Sequence, residues 1–231
     1  MKCCTHICVG VLCCLVLAGC STEKLRIKAG TELGSSVVTD VIGGGFIMPE
    51  WLPAHNVEFS GGVKYTNERK TNVFLENSIR MPVERLKIQV INKFQYNKYF
   101  AWTIDEYLFF SRLQAVISRF DAALGLSFRT IVQNKSFQET IFEPFNVQYD
   151  VGVYIFPVEN RVWNVRLGIS NYDMFITERM EQFLLSLKSE YHVSEQIGVF
   201  ASLFLRSAGN FNLSASYYSL YSHIGVRCII F

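Results

Sequence analysis

The sequence predicts an all-β fold, a closed up-and-down antiparallel transmembrane β-barrel of eight to ten strands. Three observations lead there. Apolar and polar residues alternate with a period of two through most of the chain. The 231 residues are 50% hydrophobic and only 18% charged, yet beyond the first 20 residues no unbroken apolar run approaches the roughly 18 that a spanning helix needs. A closed barrel is the other way to satisfy backbone polar groups in lipid. Toward the C-terminus the connections alternate short and long, as a barrel with one rim of turns and one of loops requires.

Residues 1–19 read as an export signal, in which Lys2 supplies the charge and Ile7 to Leu17 the apolar core. Cys3, Cys4, Cys8, Cys13 and Cys14 fall inside it, which leaves Cys20 and Cys228. That is too few for a disulfide scaffold or a thiolate metal site. Residues 20–56 form an N-terminal segment with a candidate first strand at Leu25 to Leu33. Its stretch from Gly43-Gly44-Gly45 through Pro53 reads as a flexible loop and lacks the Lys-Ser/Thr of a phosphate-binding loop.

Residues 57–231 carry the barrel. Val57, Phe59, Val63 and Tyr65 oppose Glu58, Ser60 and Lys64, and Leu86, Ile88, Val90, Phe94 and Tyr96 oppose Lys87, Gln89, Lys93 and Gln95. The segment from Tyr107 to Ile117 is less regular. Leu124, Leu126 and Phe128 face away from Gly125, Ser127 and Arg129. The clearest strand is Phe145 to Ile155, apolar or aromatic at every odd position; segments beginning at Trp163, Phe183 and Ile197 repeat the pattern. Each is roughly nine to eleven residues, enough for a tilted strand to cross a bilayer. Tight turns are predicted near Arg119–Ala122, Pro157–Arg161 and Val193–Gln196, and longer loops near Gln133–Pro144, Asn171–Glu181 and Ser207–Ser216. An even count with both termini on one side favours ten strands, or eight if the region before about Glu84 is a tail or loop.

Several features carry a resemblance. Leu17-Ala18-Gly19-Cys20 resembles a bacterial lipobox, which implies acylation of Cys20. Phe231, after a strand-like stretch, resembles the C-terminal signature of outer-membrane barrels and implies recognition by barrel-insertion machinery. Counting back from Phe231, however, Ile229, Arg227, Gly225 and His223 share its register, while Ile230, Cys228, Val226 and Ile224 form the apolar one. Either a bulge shifts the last strand or the terminal Phe is fortuitous. Phe145, Trp163, Phe183, Tyr191, Tyr217, Tyr218 and Tyr221 resemble aromatic girdles. The whole resembles the small barrels of the OmpA-, OmpX-, OmpW- and omptin-like group, which implies the bacterial outer membrane and its lipid as surroundings. The likeness is architectural, and no functional residue transfers. A lipid-anchored, lipocalin-like barrel binding a hydrophobic ligand has the same alternation with its apolar face inward.

The polar face would carry Lys64, Lys87, Lys93, Arg129, Asp150, Arg166, Lys188, Glu190, Arg206 and Arg227. In a narrow lumen such charges must pair, since an unpaired buried charge is costly. Because bases outnumber Asp150, Glu190 and Glu58, the lumen is read either as a salt-bridged plug or as a narrow conduit favouring small anions. His55, His192 and His223 have no spacing that assembles a catalytic set, so neither an enzyme nor a cofactor is expected. The net charge of +2 and the lack of a basic stripe argue against nucleic acid. Polar loops on the long side offer contacts to a host or matrix ligand. The expected role is thus interaction through surface loops or limited solute passage.

Overall fold

A computed structural model describes residues 24–36, 41–67, 70–83, 86–99, 104–133, 139–157, 162–172, 183–208 and 216–230. The expected signal 1–19, Cys20 and Phe231 lie outside them. The strands are β1 (Lys24–Ser36), β2 (Ile42–Ala54), β3 (Val57–Thr66), β4 (Lys70–Val83), β5 (Leu86–Tyr99), β6 (Ile104–Ile117), β7 (Phe120–Gln133), β8 (Glu139–Tyr154), β9 (Trp163–Ser170), β10 (Phe183–His192), β11 (Ile197–Ala208) and β12 (Ser216–Ile229). Each pairs antiparallel with its neighbours in sequence, and β1 pairs with β12 to close the barrel.

Twelve strands replace the eight to ten expected. The two that escaped are β2 and β4, and both have apolar residues on the inner face. In β2, Phe46 and Met48 are buried while Ile47 between them is exposed, so Phe-Ile-Met shows no alternation. In β4, Phe74 points inward between exposed Leu75 and outward Val73, and polar Asn77 interrupts the outer face. Of the segment 20–56, Lys24–Ser36 and Ile42–Ala54 are therefore wall: β1 spans the predicted Leu25 to Leu33, and β2 occupies the supposed loop of Gly43 to Pro53.

Two turns also move. The reversal predicted at Arg119–Ala122 is the two-residue turn Ser118-Arg119, with Ser118 at φ 49°, a left-handed value that closes tight hairpins. Of the predicted loop Gln133–Pro144, residues from Glu139 onward belong to β8, and a register shift places two residues, Pro144 and Phe145, between the partners of Ser127 and Arg129. Proline fits a strand at such a bulge because no ladder hydrogen bond is asked of it. In β12 the register shift lies opposite Arg206/Ser207, far from the C-terminal end, and pairing runs unbroken from Ser219 to Cys228. The outward residues there are Ile224, Val226, Cys228 and Ile230.

Connections 55–56, 84–85, 118–119 and 193–196 are short and lie at the rim that holds the ends of β1 and β12; 155–162 at that rim is longer. The longest, 171–182, is at the opposite rim. From Phe145 to Tyr154 of β8 the faces alternate: Val147 is 57% exposed, Gln148 is 0% exposed and Val151 is again exposed. The apolar residues look outward and the polar residues inward, the reverse of a soluble lipocalin-like barrel. In water an outer surface of Leu, Ile, Val and Phe of this extent would be severely unfavourable, and in lipid it is what the solvent requires. Outward aromatics pair near both edges of this belt. Trp51 stacks on Phe59 and Phe156 packs on Trp163 toward the terminal rim, and Tyr96 meets Tyr107 toward the other. Tyr221, expected in a girdle, instead faces the lumen and stacks on Phe204.

Candidate functional site: the lumen

Period-two geometry sends one residue in two of every strand into the barrel, so the lumen lining is read directly from the inner registers. Toward the loop rim, the Arg129 guanidinium on β7 binds Glu106 on β6 and donates to Glu143 on β8 at 3.3 Å. Asn97 donates to Glu106 at 2.8 Å, and Asn72 and Gln95 donate to the Asn97 carbonyl oxygen at 2.8 and 2.7 Å. Across the seam where the barrel closes, Glu32 accepts from Lys64 at 2.8 Å and from His223 at 2.6 Å. The His223 ring is enclosed by Phe46, Phe204 and Tyr221, with centroids 5.2, 5.1 and 5.6 Å away.

Arg166 on β9 is held by two carboxylates. Its Nε donates to both oxygens of Asp121 at 3.0 Å, and Nη2 donates to Asp150 at 2.7 Å. The guanidinium lies over Gly152 and Gly168, which face each other across β8 and β9. A Cβ at either position would collide with it, so the two glycines form its seat. Toward the terminal rim, Arg227 binds Glu190 at 2.7 Å and approaches His192 at 2.8 Å; Lys28 binds Glu50 at 2.7 Å, and Arg80 binds Glu58.

The structure thus brings Arg129, Asp150, Arg166, Lys188, Glu190 and Arg206 to the inner wall, in separate clusters. Arg206 donates to the Tyr221 hydroxyl at 3.3 Å, and Lys188 places its ammonium 5.6 Å from the Phe204 ring centroid. The expected excess of bases is corrected. Glu32, Glu50, Glu76, Glu106, Asp121 and Glu143 also face inward and neutralise most of the cations. Sequence reasoning missed them because they sit in β1, β2 and β4, in the irregular β6, at the bulge of β8, and at a position assigned to a turn.

Two features narrow the lumen. Tyr172, just past β9, turns inward against Phe110 of β6 at 6.1 Å and under the Arg112 guanidinium at 4.6 Å. Its hydroxyl reaches Asp150 at 3.4 Å. Asn171 holds this turn by accepting from the Tyr149 amide at 2.9 Å and donating to the Val147 carbonyl at 2.7 Å. On the other side Phe46, Met48, Phe74 and Phe200 form an apolar wedge. Between these features a cavity of about 330 Å³ remains open, lined by Lys28, Arg166, Lys188, Glu190 and His223 together with Phe46, Phe200 and Phe204.

With this geometry in view, solved structures of similar shape are informative. The KdgM porin in complex with disordered oligogalacturonate aligns with a TM-score of 0.56 at 9% identity, over 90% of this chain and 98% of that one. The NanC porin gives 0.57 at 9%, over 90% and 100%. The translocator domain of the autotransporter NalP from Neisseria meningitidis gives 0.53 at 8%, over 97% and 94%. The fold is that of a bacterial outer-membrane barrel. At these identities the likeness is one of fold only. No protein-family model and no curated protein sequence matches the chain. What is particular to this chain is its lumen: paired charges along the wall, an aromatic narrowing at Tyr172 and Phe110, and an open cavity beyond them.

Proposed function

We propose that this protein is a narrow conduit for small polar solutes across the outer membrane. The observation that carries the reading is the lumen itself. Its wall is charged and hydrogen-bonding on every strand, it encloses an open cavity, and the apolar residues of the same strands face lipid. Paired charges keep such a wall wettable without making it a strong trap for ions of either sign. That two of the similar folds are porins, one of them solved with an acidic saccharide, supports the same reading. Tyr172, an inward side chain supplied by a connection, narrows the lumen against Phe110. The purified barrel in a planar bilayer is expected to show discrete single-channel currents, and Tyr172→Ala is expected to enlarge them. Absence of current from protein that keeps its heat-dependent gel mobility would refute the reading.

A further inference from the structure

A row of polar side chains stands on the outward face, where lipid contact favours apolar groups. Asn77 of β4 lies directly opposite Asn92 of β5, and Asn92 lies directly opposite Ser111 of β6. Asn92 falls between the buried Ile91 and Lys93, and Ser111 is exposed. At the spacing of neighbouring strands the row is about 10 Å long. Each of its members sits midway along a strand of 14 residues. Exposed Leu75, Ile79, Phe94, Phe109 and Leu113 surround it, so the row lies within the lipid-facing belt rather than at either rim.

Within the row the Asn92 amide donates to the Asn77 carbonyl oxygen at 3.1 Å. That bond leaves the Asn92 carbonyl oxygen, the Asn77 amide and the Ser111 hydroxyl without a partner among the described residues. Hydrocarbon tails neither donate nor accept, so such groups are costly against lipid. A second protein surface removes that cost. A carboxamide both donates and accepts, and the row carries no charge, so the surface it matches best is its own copy. The neighbouring wall is also easy to approach. Toward the terminal rim on β6 and β7, Ala115 and Ala122 are register partners on the same outward face, and small residues let two membrane-embedded surfaces come close.

We infer that the outward face of β4–β6 is the contact surface of a two-fold symmetric dimer of this chain within the membrane, with Asn92 of each copy at the axis. An isologous contact brings the same patch of both copies together. With Asn92 central, Asn77 of one copy lies on the Ser111 side of the other, and the unpartnered groups face donors and acceptors instead of lipid. The two lumens stay separate, because the contact uses outward residues. The inference holds whether or not the lumen conducts.

Disulfide trapping in outer membranes tests it. In a Cys228→Ser background, Asn92→Cys is expected to give a covalent dimer on mild oxidation. Leu203→Cys on β11, half way round the barrel from β5, and the background alone are expected to give none. Sedimentation of the purified protein in mild detergent is expected to show the protein mass of a dimer. Asn77→Leu combined with Asn92→Leu is expected to weaken dimerisation about tenfold or more while the barrel keeps its heat-dependent gel mobility. Leucine suits a lipid-facing position, so loss of the dimer without loss of folding separates an interface from a local role of the amide pair between β4 and β5. A monomer or trimer by sedimentation, dimerisation unaffected by the double substitution, or equal trapping at 92 and 203 overturns the inference. So does a monomer that cross-links at 92 to a different protein, which gives the row to another partner.

Discussion

At the scale of single residues, Arg166 shows how the lumen is held. Its guanidinium lies flat because Gly152 and Gly168 offer no side chains, and it is charge-balanced because Asp121 and Asp150 converge on it from β7 and β8. Removing one partner of a buried ionic cluster leaves the others uncompensated and typically costs about 3–5 kcal/mol. Arg166→Gln is accordingly expected to destabilise the barrel by about that much in reversible urea unfolding from lipid vesicles, whereas Arg166→Lys retains charge but not the fork geometry and should recover only part. A loss no larger than that of an exposed surface pair would contradict this account of Arg166. Much of the cluster was legible in the sequence: Arg166 and Asp150 both fall on the polar side of clean alternation. Asp121 was not, because the turn was placed two residues late and took the first inward residue of β7 into a loop. Tyr172 carried no periodic signal, since it lies beyond its strand.

Elements obey a stricter rule, because their two faces meet two different solvents. Leu203, midway along β11, faces lipid, and Ser202 beside it lines the cavity. Leu203→Arg is expected to cost about 2–4 kcal/mol, as for a cation near the bilayer midplane, while Ser202→Arg should fold normally and reduce current. Equal stabilities for the two variants would mean that the faces are misassigned. The base of connection 171–182 obeys the same need for satisfied backbone groups. β9 ends at Ser170 while β8 continues past it, and Asn171 takes up the Tyr149 amide and the Val147 carbonyl. Asn171→Ala is expected to speed hydrogen exchange at the Tyr149 amide and leave the β10–β11 amides unchanged. Strands with one apolar and one polar face, such as β8 and β9, were readable from sequence. β2 and β4 were not, since period two disappears when the inner face must supply apolar packing to its own lumen.

Over the whole molecule, closure by β1 and β12 turns these local rules into a transmembrane body. The fold class and the outward direction of the apolar face were legible in composition and alternation. The strand count was not, because it depends on whether two apolar-on-both-faces segments belong to the wall. Charge balance followed from the same misreading: the missing strands and misplaced boundaries held most of the acids that pair with the visible bases. The central claim, that the charged inner face encloses a water-filled path, is tested most directly by single-channel recording in a Cys228→Ser background. Ser202→Cys and Leu203→Cys are exposed in turn to a small charged thiol reagent. The account predicts that current through the Ser202→Cys barrel falls on modification and that current through the Leu203→Cys barrel does not change. Block at 203 but not at 202, or no current from either folded barrel, would contradict it.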